Sequence, residues 1–550
     1  MAGLKDAIYG TSLYQFTLRG RFPHALTLQP ADPWPGDAAE ADEMFRGRWR
    51  LGGQDVDAGR AMPFALADAP ETWRVALHGF EWLRHFTASD SNAATRAART
   101  LVADWLDRHT LFDPFVWRTD ILARRLVNWC LNMELLARNA ELTYRSDVLR
   151  SLARQARHLS RTVESVPPGA PALQAATALA LLGICLPDSK AWTERGLRLL
   201  GDALTRQVLP DGGHVSRDPE TLHLVLRDLL MLKRTMMEIG EPPPEGLVNA
   251  IDRMAPTLRM LRHDDGGLGL FNGATEGRAD LIEATLKQAA ARGKPNLSAP
   301  KSGFERMQGG RTVVIADFGG PVPQPGVGHA GLLSFEMSHQ RERIVVNGGS
   351  ARPATPQWSR ALASTAAHST LCLADTNAVG VPEAGKRRSR RLEADAIRSE
   401  SGGETVVDLM HTGYQEGFGV VHRRRLHLDA AGRELRGEDR LERLERRRNG
   451  GPLPFAIRFH LHPDVQAVLA QGGDGALLRL KSGRGWRFRV AGAHLALEES
   501  VYLGNGAPRR TAQLVLDGQL TDGDTIVVRW GFSRIDGAGP SRAEQEETGE

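Results

Sequence analysis

The stretch 327-VGHAGLLSFEMS-338, continued by 341-RERIVVNGG-349 and 358-WSRALASTAAHSTLCLADTN-377, decides the fold. Leu333, Phe335 and Met337 alternate with Ser334, Glu336 and Ser338, the period of two that a half-buried strand requires. His329 and His368 stand at strand edges about forty residues apart. Neighbouring antiparallel strands lie about 5 Å apart, so both imidazoles can reach one site.

Outward from this stretch the chain divides by pattern. Beyond about residue 305 it continues as short β-type runs: TVVIADF, RIVVN, STLCLAD, TVVDLM, LPFAIRFHLHP, GWRFRV, TAQLVLDG and DTIVVRWGF. Many short strands with turns and no helices between them predict an antiparallel β-sandwich. From about 70 to 290 apolar residues recur at helical spacing instead, as Ile121, Leu122, Val127, Leu131 and Leu135 do. Breakers at Pro187, Pro210 with Gly212 and Gly213, and Pro242 to Pro244 cut this half into helical hairpins. GKPNLSAPKSGF at 293–304 suits a boundary. The expected organisation is a helical domain over 1–295 with an N-terminal extension over 1–70, a sandwich over 303–533, and a disordered tail over 534–550. No internal repeat of fixed period is evident.

At 550 residues, two or more domains are expected, and 41% hydrophobic with 25% charged residues is an ordinary globular composition. The N-terminus has no apolar h-region and no stretch approaches a membrane span, which places the protein in the cytoplasm as an expectation. Cys130, Cys185 and Cys372, an odd number in apolar surroundings, read as buried free thiols. A net charge of +4 does not demand a nucleic-acid partner. Only eight of the 70 basic residues are lysines, and arginine clusters at 386–391, 423–425 and 446–448 suit either solvated loops or attraction to a polyanion.

The order of these pieces resembles the C-terminal β-domain of the heparinase II/III family of polysaccharide lyases. There a strand reading His-Ala-Asp-x-Leu-Ser-Phe is followed by a turn carrying Asp and then by Arg…Ser-Thr-x-x-His-Asn-Thr. Residues 73–84 (WRVALHGFEWLR), Trp117 with Arg118, Asn128 with Trp129, 207–213 (QVLPDGG), 454–463 (PFAIRFHLHP), Trp486 with Phe488, and Glu498 to Ser500 extend the likeness over most of the chain. The resemblance implies an incomplete (α/α) toroid followed by the sandwich, with a cleft between them. It further implies a carbon–oxygen lyase that cleaves a uronic-acid-containing polysaccharide or oligosaccharide by β-elimination. That reaction needs the uronate carboxylate neutralised, a base for the C5 proton and an acid for the oxygen leaving C4.

The likeness breaks at the family's catalytic positions. Its Asn-His segment is Gly169-Ala170-Pro171-Ala172-Leu173 here, its Ser-Pro-x-Tyr-His tyrosine is Thr221 or Leu222, and its proton-transferring histidine is Val327. In their place His223 and Arg217, in the turn after Asp211-Gly212-Gly213, are the catalytic candidates, as base and as uronate partner. An ordinary helix start, with Asp218 as N-cap and Pro219 at the first position, explains part of that turn equally. His214, Arg360 and Trp117 are the candidate sugar-binding residues, with core packing the alternative for Trp117. The family's structural zinc maps onto His329, Asn347 and His368, where Asn replaces a carboxylate, so a weak or partial zinc site and a metal-free histidine pair both stand. A second function is a non-catalytic carbohydrate-binding protein of the cell envelope pathway, and the family likeness gives the periplasm or envelope as the alternative location.

Overall fold

A computed structural model describes residues 2–290, 293–320, 322, 328–351, 355–380, 392–444, 451–521 and 525–535. Two compact units result, one of residues 1–215, 221–256 and 280–293, the other of residues 216–220, 257–279 and 294–550. Two short pieces of the helical half of the sequence are thus folded into the β-rich unit.

The first unit is built of helices whose apolar faces share one core. Trp73, Trp82, Trp105 and Trp129 are all at most 1% exposed there. Phe80, a left-handed residue at φ 59°, ends the helix Glu71–Gly79 and packs its ring against Trp82, Trp105 and Trp129. The helices Ala170–Cys185 and Lys190–Gln207 form a hairpin, and a Cβ added at Gly196 would lie 2.4 Å from the backbone nitrogen of Ala180. Only glycine permits that approach.

The second unit contains two antiparallel sheets. One runs in the order 466–469, 475–479, 485–491, 525–535, 434–443, 420–428, 404–411, 394–401. The other runs 494–502, 509–520, 453–461, 342–346, 335–339, 312–317, 304–309, 298–299, with 371–373 also paired to 453–461. Phe335, Phe459, Phe488, Trp530 and Phe532 fill the core.

One expectation is corrected. The strand Phe335–His339 is buried on both faces, with Ser334, Glu336 and Ser338 at most 1% exposed. The segment 257–279 of the same unit covers the polar face: His263 bonds Ser338 Oγ at 2.8 Å and Glu336 Oε2 at 3.0 Å, and the Leu270 amide donates to Glu336 Oε1. The chain also uses one turn twice. The turns 207–215 and 261–269 carry the same hydrogen bonds, with Leu209 N donating to Gly213 O in one and His263 N to Gly267 O in the other. In each an Asp-Gly-Gly turns the chain, with Gly212 at φ 86° and Gly266 at φ 94°.

Candidate functional site

The turn after Asp211-Gly212-Gly213 directs its side chains inward. His214 is 2% exposed and its Nε2 bonds Gln207 Oε1 at 3.1 Å, while burial pushes its pKa down to about 4. Arg217, at φ 55°, donates Nε to Ser302 O and Nη1 to Gly319 O and Gly320 O, each at 2.7 Å, and Nη2 to the Asp317 carboxylate. Asp218 caps the helix Pro219–Glu238 by accepting from the Glu220 amide at 2.9 Å. His223 is 4% exposed, its Nε2 bonds Thr285 Oγ1 at 2.9 Å, and burial brings its pKa to about 3. The expectation that this turn presents a base and a cation to a ligand is therefore corrected, because packing and internal hydrogen bonds occupy both groups.

Trp117 is likewise in the core, donating to His109 O and set edge-on to His158 with ring centroids 5.3 Å apart. A buried indole cannot stack on a sugar, so core packing accounts for it. Arg360 is exposed on the helix Pro356–Ala363. Val327 lies outside the described residues, as do the arginine clusters at 386–391 and 446–448. In the remaining cluster Arg423 pairs with Glu442 and Arg425 with Asp408 across strands, and Arg424 is buried. Those arginines form a charge ladder on a sheet rather than an unpaired basic patch.

His329 and His368 do meet. His368 Nδ1 lies 2.7 Å from Ser364 O, which fixes its proton on Nδ1, so its Nε2 accepts from His329 Nδ1 at 3.1 Å. Burial pushes both pKa values down, to about 4 for His368 and about 3 for His329, so the pair is neutral. Asn347 is fully buried and its Oδ1 accepts the Ser369 amide at 3.0 Å, which leaves the Nδ2 amino group, a donor, without a partner. An amino group cannot ligate a cation, and rotating the amide would strand the Ser369 N–H. The three residues do not fit zinc in this arrangement. Among the described residues no group of three or more His, Cys, Asp or Glu side chains could hold a metal ion.

A different site opens in the helical unit. Helical spacing places Arg124 and Asn128 together on Thr119–Leu131, Gln174 and Thr177 on Ala170–Cys185, and Leu224, Arg227, Asp228 and Met231 on Pro219–Glu238. With Trp34, Glu81 and Arg84 they line a small pit. Glu81 Oε1 accepts from Arg84 Nη1 and Arg227 Nη2, each at 2.8 Å. The pit is open, because 44% of the Glu81 side chain reaches solvent while Arg84 and Arg227 keep 5% and 9%. Burial pushes the Glu81 carboxyl up, but the two guanidiniums outweigh it and hold it below the ordinary range. Asp228 behaves oppositely: burial raises it to about 6 against the pull of Arg124 and Arg227.

Two buried polar atoms of this pit, Arg227 Nε and Thr177 Oγ1, have no hydrogen-bond partner. Arg227 also lies over the Trp34 ring at 5.1 Å, and Arg124 Nη2 reaches Gln174 Oε1 at 3.3 Å. Such a pit can neutralise an anionic group with guanidiniums and offers one carboxyl able to change protonation near neutral pH. The sequence signal for it was the charged pair Arg227-Asp228 inside the apolar run HLVLRDLLML.

The Heparinase II/III N-terminus family matches residues 69–292, and the Heparinase II/III-like, C-terminal family matches residues 291–531. Among individual proteins, FtsZ-localized protein C of Caulobacter vibrioides (strain NA1000 / CB15N) is 32% identical over 547 residues, covering 96% of this chain and 94% of that protein. Heparinase III superposes with a TM-score of 0.73 at 14% identity, over 98% of this chain and 90% of its own. Heparan sulfate lyase HepC from Pedobacter heparinus gives 0.60 at 18% identity, over 98% and 89%. These two structures establish the likeness of fold.

Proposed function

The chain belongs to the heparinase II/III family, and we propose that on this lyase-like scaffold it engages a uronic-acid-containing polysaccharide or oligosaccharide at the helical-unit pit and breaks it by β-elimination. The observation that carries the proposal is Arg124, which lines the pit bonded to the Gln174 amide and, among the described residues, paired with no carboxylate. Arg is the side chain suited to planar, two-point recognition of that group. With the uronate carboxylate seated among guanidiniums, negative charge developing at C5 spreads onto a neutralised group, which is the first need of elimination.

The reaction class makes its own assay. Elimination leaves an unsaturated uronate whose conjugated double bond absorbs in the ultraviolet, whereas hydrolysis or binding creates no such group. The wild-type protein is expected to generate that absorbance on at least one uronate-containing glycan. Arg124→Ala should lower kcat/KM by about a hundredfold, the loss of one charged contact of about 3 kcal/mol. Absorbance equal in wild type and variant would refute the pit as the site.

A second reading is favoured by the relative named for its localisation with FtsZ. On it the same pit holds an acidic sugar without cleaving it, and the protein works where FtsZ assembles. A fluorescent fusion that follows FtsZ, together with saturable glycan binding and no ultraviolet product, would select this reading over the first.

A further inference from the structure

The pit also contains a carboxyl that no charge pair claims. Glu81 is held by two guanidiniums, whereas Asp228 forms no ion pair among the described residues. Asp228 is instead faced by Arg124 and Arg227 at longer range, by the Glu81 carboxylate and by the Gln174 amide. Arg227 and Thr177 of the same pit each keep a buried polar atom, Nε and Oγ1, without a hydrogen-bond partner. The pit is open on the side of Glu81, so an anionic group can enter it from solvent. A uronate seated by its carboxylate points its ring, with the adjoining C5–H, toward the open side, where 44% of the Glu81 side chain reaches solvent.

We propose that Asp228 is the proton-carrying group of this site: as a carboxylate it takes the C5 proton of the anionic sugar, and as the resulting acid it returns that proton to the oxygen leaving C4. The C5–H pair becomes the C4=C5 double bond, the C4–O bond breaks, and the carboxylate is regenerated, so no co-reactant is needed. This rests on the pit being the saccharide site. It supplies the acid and base that Thr221, Leu222 and the Gly169–Leu173 segment cannot provide. Proximity to pH 7 suits the role, because burial raises Asp228 to about 6 and a base poised near the working pH is the efficient one. Arrival of a second carboxylate beside it should raise it further, so anion binding near pH 6.5 should draw a fraction of a proton from solution, and the fraction of Asp228 still ionised is the one that takes the C5 proton.

The test measures proton uptake and turnover separately. Calorimetry of the full chain with an unsaturated uronate disaccharide, in two buffers of different ionisation heat near pH 6.5, is expected to show fractional proton uptake that Asp228→Asn abolishes while binding persists. On a cleaved glycan, Asp228→Asn should lower kcat by about a thousandfold with KM little changed, and Asp228→Glu should retain a rate that rises with pH through a shifted midpoint. Proton uptake with no ultraviolet product would sink the elimination reading and keep Asp228 as the group that titrates with the ligand. Cleavage with an unaltered pH profile in Asp228→Asn would overturn the inference and spare that reading, and uptake equal in wild type and variant, or no binding, would overturn it as well.

Discussion

Single residues in this protein divide by whether burial has neutralised them. His223 and His329 sit near pKa 3 and His214 and His368 near 4, each lowered chiefly by burial. An unfolded imidazole titrates at about 6.5, so the unfolded chain binds more protons between those values. The stability these histidines confer is complete above about pH 6.5 and is lost as pH falls toward the folded values. Asp439 is lost later. Burial pushes its carboxyl up, but Arg424 and His422 outweigh it, so its contribution persists until pH drops below the ordinary carboxylate range. Urea unfolding between pH 6 and 5 should therefore show stability declining with acid. His223→Gln should reduce that slope by about 1.4 kcal/mol per pH unit, the weight of one proton. An unchanged slope would mean that His223 is already solvated in the native state.

The element scale explains what the sequence could not convey about the central strand. Alternation in 333–338 was legible because strand period is local, and the apolar set Leu333, Phe335 and Met337 is indeed buried. The cover over Glu336 was not legible, since His263 lies 73 residues earlier and belongs to a pattern that reads as helix. The same cover ties Arg343 to Asp265 at 2.7 Å, and Arg217 reaches Asp317 from still further upstream. A chain begun at residue 294 would keep every strand of the two large sheets yet leave Glu336, Arg343 and Asp317 buried without these partners. Breaking a buried pair costs about 3–5 kcal/mol, so two or three broken together should prevent stable folding. Expression of 294–550 is expected to give protein without cooperative thermal unfolding. A sharp transition near that of the full chain would show that 257–279 contributes little.

At the scale of the whole molecule, helix-then-strand order was readable from the change in hydrophobic period, and landmark residues carried the family likeness along most of the chain. The pit was not readable. Its lining runs from Trp34 to Met231 through several helices, and no spacing rule joins residues so far apart. Candidate residues taken by position in a motif, such as Arg217 and His223, prove instead to hold the fold together. Glu81, Arg84 and Asn128 of the pit fall within the family landmarks 73–84 and Asn128–Trp129, but the sequence does not show that they meet.

The most direct measurement is a crystal structure of the full chain with a bound uronate-containing oligosaccharide. The carboxylate is expected within hydrogen-bond distance of Arg124 or Arg227, with the ring at the mouth of the pit and C5 facing Asp228. Oligosaccharide density elsewhere, with the pit holding only water, would contradict the account.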